Sequence, residues 1–309
     1  MEEFKIIRKL MGSVFELIIS DTDKSRAEEL LETGVKEIER LENLLSEFRE
    51  TSFTSLLNKN AGLQPVTIEK EVFDLIERSV QISNLTQGSF DITVGPLKKL
   101  YDFKNGKFVL PDKSAVKKAL QVVGYKHISL RENNNVFLKK KGMFISFSAI
   151  GKGYAADRVK QIWQILGVEH GVVNAGGDLT VLGKKGNGQE WKIGIADPDN
   201  PDKILCYIPI ENASVATSGD YEQFFIKNGI RYAHNINPKT GKPVSGIKSV
   251  TVISPRAELS DALATAIFVM GVGAGIHLIN QLPQTHCLII DDRNNISHSS
   301  NLIFEYAKE

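Results

Sequence analysis

The stretch SDALATAIFVMG, residues 260–271, predicts a buried helix that carries two polar side chains on one face. Its apolar residues lie close together: Leu263, Ile267, Phe268 and Met270. Asp261 and Thr265 are four residues apart, which puts their oxygen atoms one helical turn apart on the same side. One interpretation is structural: Ser260 or Asp261 caps the helix, and Thr265 bonds its own backbone carbonyl. The other is a hard-cation site, since a carboxylate, a hydroxyl and backbone carbonyls suit Mg²⁺.

Helices and strands alternate around this stretch without a regular βαβ rhythm. Helical spacing is predicted over 25–48, 69–88, 112–124, 153–167 and 275–282, with Ser25 and Glu28 as a capping box for the first of these. Strand-like runs lie at 4–20 (two strands with a turn at Gly12), 127–130, 135–140, 143–147, 171–183, 191–198, 203–210, 222–234, 249–254, 287–292 and 302–307. The pattern predicts an α+β fold in a single domain, 1–309, with an exposed hairpin tip at 183–190.

Composition narrows the class of protein. The net charge of +1 leaves no global basic field, so nucleic-acid binding is not indicated. Cys206 and Cys287 stand apart in apolar surroundings and are predicted to be buried, unpaired strand residues. The first twenty residues lack the apolar core of a signal peptide, and no run is long enough to span a membrane. We expect a cytoplasmic protein from the chain as given, or a periplasmic one if a leader has been removed.

Four segments are richer in glycine and polar residues than a core requires: 88–97 (GSFDITVGPL), 147–157 (FSAIGKGYAAD), 174–183 (NAGGDLTVLG) and 217–244, which includes TSGDYEQFF and YAHNINPKTGKPV. In the second, a glycine turn opens directly into a helix. Backbone N–H groups at a helix N-terminus bind phosphate, and Lys152 adds a positive charge. A tight strand-to-helix turn explains the same residues. His234 is likewise either structural or catalytic on its local sequence.

Eight motifs in order resemble the ApbE family, the FAD:protein FMN transferases. They are MGS (11–13), SEFRETSFTSLLN (46–58), GSFDITVGPL (88–97), AIGKGYAAD (149–157), NAGGD (174–178), ATSGDY (216–221), HNINPKTG (234–241) and SDALATA (260–266). The resemblance spans residues 11–271. It implies an α+β fold of largely antiparallel sheets with packed helices, and an FAD cleft between two intimate lobes.

The resemblance also implies an activity and a set of site residues. The family uses Mg²⁺ to transfer FMN from its substrate FAD to a Thr or Ser hydroxyl of an acceptor flavoprotein, through a phosphodiester bond, and AMP is released. The resemblance implies three metal ligands, Asp261, Thr265 and the carbonyl of Ala149, and assigns His234 to the transfer step beside Asp261. Positions that match FAD contacts are Met11, Phe48, Ser89, Phe90, Asp91, Ser146, Lys152 and Asn235.

Two positions depart from the family pattern. Many relatives have Asp where this chain has Ser146, so we expect a lost charge-assisted hydrogen bond and weaker FAD binding, which an FAD titration of Ser146→Asp tests. Asn237 replaces a common Asp before the proline and is interpreted as a turn variant. Two other functions stay open: an FAD pyrophosphatase that yields FMN and AMP, and a non-catalytic FAD-binding protein. The oxygen ligands do not distinguish Mg²⁺ from Mn²⁺ or Ca²⁺.

Overall fold

The computed structural model describes residues 1–103, 110–219, 224–227 and 229–307. Its helices are α1 (Lys24–Leu45), α2 (Phe53–Lys59), α3 (Lys70–Leu85), α4 (Gly95–Lys98), α5 (Lys113–Leu120), α6 (Gly151–Ile165), α7 (Ala257–Met270) and α8 (Val272–Ile279). Each predicted helical segment overlaps one of them, although α6, α7 and α8 begin two to three residues earlier than predicted. The short helices α2 and α4 had no counterpart in the prediction.

Within the described ranges, the strands form one large sheet and three small ones. They are β1 (Glu2–Leu10), β2 (Ser13–Asp21), β3 (Val66–Thr67), β4 (Ile128–Arg131), β5 (Asn135–Leu138), β6 (Gly171–Ala175), β7 (Asp178–Leu182), β8 (Trp191–Asp197), β9 (Asn200–Ile210), β10 (Ser214–Gly219), β11 (Phe224–Lys227), β12 (Ile230–Ile236), β13 (Pro243–Ser245), β14 (Ile247–Ser254), β15 (His286–Asp291), β16 (Ile296–His298) and β17 (Glu305–Tyr306). The eight-stranded sheet has the order β1-β2-β6-β7-β10-β14-β15-β16, and every neighbouring pair within it is antiparallel. This confirms the predicted α+β class.

The large sheet is covered on both faces. Helices α1, α6 and α7 pack against one face. On the other, apolar residues of β6, β7, β10, β14 and β15 form a common core with Trp191, Ile195 and Cys206 of the β8–β9 sheet. All eight residues of β14 are buried for this reason, since both sides of that strand face protein. The helical face of the sheet is the one that supports the candidate site.

Four local predictions were wrong. Asp23, and not Ser25, caps α1, because its carboxylate accepts from the backbone N–H groups of Ser25 and Arg26. Residues 143–147 form no strand: the Asn58 side chain bonds both the N–H and the carbonyl of Ile145, which satisfies the backbone there. Segment 183–190 is not a hairpin tip, since β7 and β8 belong to different sheets. Of the predicted strand 302–307, only Glu305–Tyr306 pairs as a strand.

A close helix contact fixes the position of the site. Gly153, in the first turn of α6, lies against the first turn of α7, and a Cβ atom on it would collide with the carbonyl oxygen of Ala257. Glycine therefore lets the two helix backbones approach more closely than other residues allow. Because of this approach, the start of α6 lies beside Asp261, in the second turn of α7.

The two cysteines lie in strands of different sheets. Cys206 in β9 and Cys287 in β15 are buried and unpaired, as predicted. Burial raises the pKa of both thiols to about 11. Among the described residues, every helix is too short or too polar to cross a membrane.

Candidate active site

The start of α7 decides between the two interpretations of its polar face. The helix begins at Ala257, so Asp261 lies within it and does not cap it. The cap comes from α6: the Asp157 carboxylate accepts hydrogen bonds from the backbone N–H groups of Ala257 and Glu258, at 2.8 and 2.9 Å. The Thr265 hydroxyl bonds the Ser218 hydroxyl of β10 at 3.2 Å. Asp261 and Thr265 both line a neighbouring cavity, and the capping interpretation of Asp261 is wrong.

That cavity, here called the central cavity, has a volume of about 210 Å³. It lies where α6 and α7 meet the segment 89–98, the turn 146–149 and strand β12. Ten of the predicted site residues line it: Ser89, Phe90, Asp91, Ser146, Ala149, Lys152, His234, Asn235, Asp261 and Thr265. Residues more than 170 positions apart in the chain thus border one space.

Charged groups are concentrated on one wall of the central cavity. The Lys152 ammonium forms an ion pair with the Asp178 carboxylate at 2.8 Å. Asp261 is only 6% exposed and accepts a hydrogen bond from the Gly153 backbone N–H at 3.4 Å. Burial raises the pKa of Asp261 well above its usual range, and the nearby Asp178 carboxylate raises it further, while Lys152 and Lys98 act in the opposite direction. A bound cation would relieve this unfavourable charge.

The oxygen atoms here suit a hard cation. Because the Gly153 N–H points to Asp261, the carbonyl of Ala149 accepts no hydrogen bond within the part of the chain that the structure describes. An open carbonyl, a buried carboxylate and the Thr265 hydroxyl are the donor types that Mg²⁺ takes. Over the same described residues, no three His, Cys, Asp or Glu side chains group as a metal site. The residues present fit a magnesium ion.

A second cavity adjoins the first and extends the site outward. Met11 and Phe48 line it, and Ser146 and Lys152 line both cavities. Met11 lies in the two-residue turn between β1 and β2, with positive φ angles at Met11 and Gly12, and its N–H bonds the Glu42 carboxylate. The Phe48 side chain is 89% exposed. An exposed aromatic ring beside a polar cavity suits a ligand with a flat ring at one end and phosphates at the other.

The segment 89–91 forms part of the cavity wall, and two of its side chains are held there by protein contacts. The Asp91 carboxylate accepts bonds from the N–H and hydroxyl of Thr93 and from the Tyr125 N–H, at 2.7–2.8 Å. Burial raises the pKa of Asp91, although these hydrogen bonds act to lower it. Phe90 is 1% exposed and packs in the core behind the wall. These contacts make Asp91 and Phe90 supports of the wall in this structure.

Strand β12 brings His234 and Asn235 to the wall of the central cavity. Asn235 is buried, and among the described residues its amide nitrogen has no hydrogen-bond partner. A buried amide donor without a partner costs free energy, which a ligand acceptor would recover. The motif that precedes this strand, TSGDYEQFF, falls partly on residues 220–223, which lie outside the described residues.

The sequence of this chain was compared with models of known protein families. The model of the ApbE family matches residues 11–289. This chain belongs to the ApbE family.

The similarity to individual ApbE proteins covers nearly the whole chain. It is 32% identical to a protein of Klebsiella pneumoniae (strain 342) named FAD:protein FMN transferase, over 94% of this chain and 90% of that one. A Treponema pallidum (strain Nichols) protein of the same name is 31% identical, over 86% of this chain and 78% of its own length. The crystal structure of the ApbE protein from Thermotoga maritima MSB8 is 31% identical, with a TM-score of 0.87 over 97% of each chain.

Two charged residues of the cavity wall were missed by the sequence-based prediction. Asp178 belongs to the NAGGD motif of the ApbE family, and its carboxylate pairs with Lys152, a contact that the motif alone does not predict. Lys98 follows the GPL motif directly and also lines the cavity. Ser146, the departure from the family pattern, accepts a hydrogen bond from the Ser148 N–H at 3.3 Å. The weaker FAD binding expected from Ser146 stays a prediction.

Proposed function

We propose that this protein transfers FMN from FAD to a Thr or Ser hydroxyl of an acceptor flavoprotein and releases AMP. The names of its ApbE relatives support the reaction class. The single observation that carries the proposal is the wall of the central cavity, where Asp261 and Thr265 of α7 face the start of α6 with Lys152. A hard-cation site beside a helix N-terminus is what transfer of a phosphoryl-type group requires.

The pyrophosphate of FAD is expected to lie at the start of α6. Backbone N–H groups and the helix dipole favour an anion there, and Lys152 adds a positive charge. Asp178 holds the Lys152 side chain in place through their ion pair. The flavin or adenine ring would then contact Met11 and Phe48 in the adjoining cavity, which shares Lys152.

Asp261, Thr265 and the Ala149 carbonyl would hold Mg²⁺. The bound ion would supply charge neutralisation at the pyrophosphate oxygens. Asp261 contributes the full negative charge of this set, and the Asp178 carboxylate adds to the negative potential around it. The fit rests on the burial of Asp261 and on the open carbonyl of Ala149.

His234 is proposed to handle the proton of the acceptor. In this step the acceptor hydroxyl oxygen forms a bond to the FMN phosphorus, and the bond from that phosphorus to the bridging oxygen breaks. AMP leaves with the electron pair of the broken bond. The hydroxyl proton passes to His234, which lines the cavity, and from there to solvent.

Release of AMP from FAD tests the proposal when it is followed with two matched acceptor peptides. One peptide contains a Thr after a short acidic and glycine-containing sequence, and the other has Ala at that position. We expect AMP and FMN-peptide in equal amounts with the Thr peptide and neither product with the Ala peptide. AMP and free FMN in equal amounts with both peptides would indicate a pyrophosphatase and contradict the proposal.

The His234→Ala variant tests the role of that residue separately. We expect it to bind FAD but to transfer FMN at least about a hundredfold more slowly, because proton transfer by a positioned side chain contributes about that much. Thr217→Val, also in the cavity wall, is a matched control that leaves the imidazole in place. Full transfer activity in His234→Ala would refute the assignment.

A further inference from the structure

Lys98, the last residue of α4, places a second ammonium group at the central cavity. Its side chain is half-buried, and Nζ donates a hydrogen bond to the Ser148 hydroxyl at 3.2 Å. Across the described part of the chain, no carboxylate lies within 4.0 Å of this ammonium, whereas Lys152 is paired with Asp178. An ammonium group has three donors, so Lys98 can bond further acceptors.

The surroundings of Lys98 favour an anionic ligand. Burial lowers its pKa, and the carboxylates of Glu47 and Asp261 act in the opposite direction from a distance. A half-buried cation without a direct counter-ion costs free energy, which an anion in contact with it recovers. The space that Lys98 faces is the cavity itself, where Lys152 and the start of α6 also attract negative charge.

We propose that Lys98 is a substrate-binding residue that contacts the pyrophosphate of FAD, as a second ammonium beside Lys152. The inference rests on the proposed function, because it takes FAD as the ligand. Ser148 assists by holding the Lys98 side chain at the cavity edge. Lys98 contributes binding energy and charge neutralisation, and it takes no proton from the acceptor.

Equilibrium binding of FAD, measured by flavin fluorescence in EDTA, tests this role without any turnover. The variants are Lys98→Met, which removes the charge, and Lys98→Arg, which keeps it. Lys118→Met is a control with the same change in net charge, at an exposed position of α5 outside the cavity. Riboflavin, which has no phosphate, is the matched ligand, and the thermal unfolding temperature of each variant is measured alongside.

We expect Lys98→Met to weaken FAD binding by about tenfold to a hundredfold, the usual effect of losing a hydrogen bond to a charged group. Lys98→Arg should retain most of the affinity, and Lys118→Met should match the wild type. Riboflavin binding should be unchanged in all variants. FAD affinity within twofold of wild type in Lys98→Met, or an equal loss for riboflavin, would overturn the proposal.

Transfer of FMN is measured separately, so the two proposals fail in different ways. A protein that binds FAD in a Lys98-dependent manner but never modifies an acceptor contradicts the proposed function and supports this inference. If the wild type transfers FMN and Lys98→Met has unchanged FAD affinity, the proposed function is supported and the role of Lys98 is contradicted. A wild-type protein that does not bind FAD contradicts both.

Discussion

Replacing Asp261 with asparagine should separate the cost of a buried carboxylate from the stability gained by binding a metal. The native state raises the pKa of this carboxyl, chiefly by burial and then by the Asp178 carboxylate. A raised folded-state pKa stabilises the protein only at low pH, and this contribution is lost as the pH rises through the folded-state value. At neutral pH without metal, this carboxyl therefore destabilises the fold relative to an uncharged group of the same size. Asparagine keeps the size and removes the charge.

The expected size of the effect follows from burial and chain length. Removing an unfavourable buried charge should raise the free energy of unfolding by about 1–3 kcal/mol. For 309 residues, an unfolding entropy of about 2.1 cal/mol/K per residue gives a total of about 0.65 kcal/mol/K. The metal-free variant should thus unfold about 2–5 °C above the wild type. Mg²⁺ at a hundred times its Kd adds about 2.7 kcal/mol, or about 4 °C, to the wild type and nothing to the variant.

Thermal unfolding followed by circular dichroism, in EDTA and in Mg²⁺, measures both effects. Thr265→Val is the matched control: it removes the hydroxyl ligand and the bond to Ser218 but leaves the carboxylate. We expect this control to lose much of the Mg²⁺ stabilisation without the gain in EDTA. The reasoning is refuted if Asp261→Asn is no more stable than the wild type in EDTA and still responds to Mg²⁺.

Three further substitutions test the cap of α7, the close contact between α6 and α7, and the exposed ring of Phe48. Asp157→Asn should flatten the pH dependence of the free energy of unfolding. Burial raises the Asp157 pKa to about 6, so the free energy of unfolding of the wild type should fall by up to about 3 kcal/mol between pH 3 and 7. The same fall in wild type and variant, measured by urea unfolding at each pH, would contradict this. Gly153→Ala should lower the unfolding temperature by about 2–5 °C, since the new Cβ meets the Ala257 carbonyl; calorimetry checks it, and an unchanged temperature would refute the close contact. Phe48→Ala should weaken FAD binding about 2–10-fold without changing stability, since the ring is exposed; unchanged affinity in a fluorescence titration would exclude Phe48 as a ring contact.

Local patterns in the sequence predicted the elements of the fold but not every contact between them. The helix over 260–270 and the polar pair on one of its faces follow from spacing alone, because i and i+4 residues always lie together. The cap of α7 could not be predicted in the same way: it comes from Asp157, a hundred residues earlier. Residues 143–147 looked like a strand because they are apolar, yet the distant Asn58 side chain takes the place of a partner strand.

The same limit applies to the candidate site. The residues predicted from the family motifs border one cavity or the adjoining one, since the order of motifs reflects a shared fold. Lys98 was overlooked because its neighbour in space, Ser148, is fifty residues away. Asp178 was visible in its motif, but its pairing with Lys152 depends on how β7 packs against α6. Contacts of this kind are set by tertiary packing, which spacing along the chain does not encode.

The most direct test of the central claim is the intact mass of a Thr-containing acceptor peptide after incubation with the protein, FAD and Mg²⁺. We predict a mass increase of one FMN less one water in the presence of the wild-type protein, with an equal amount of AMP. The increase should be absent with Asp261→Asn, although that variant remains folded. An unmodified peptide with the wild type, or full modification with Asp261→Asn, would contradict the account.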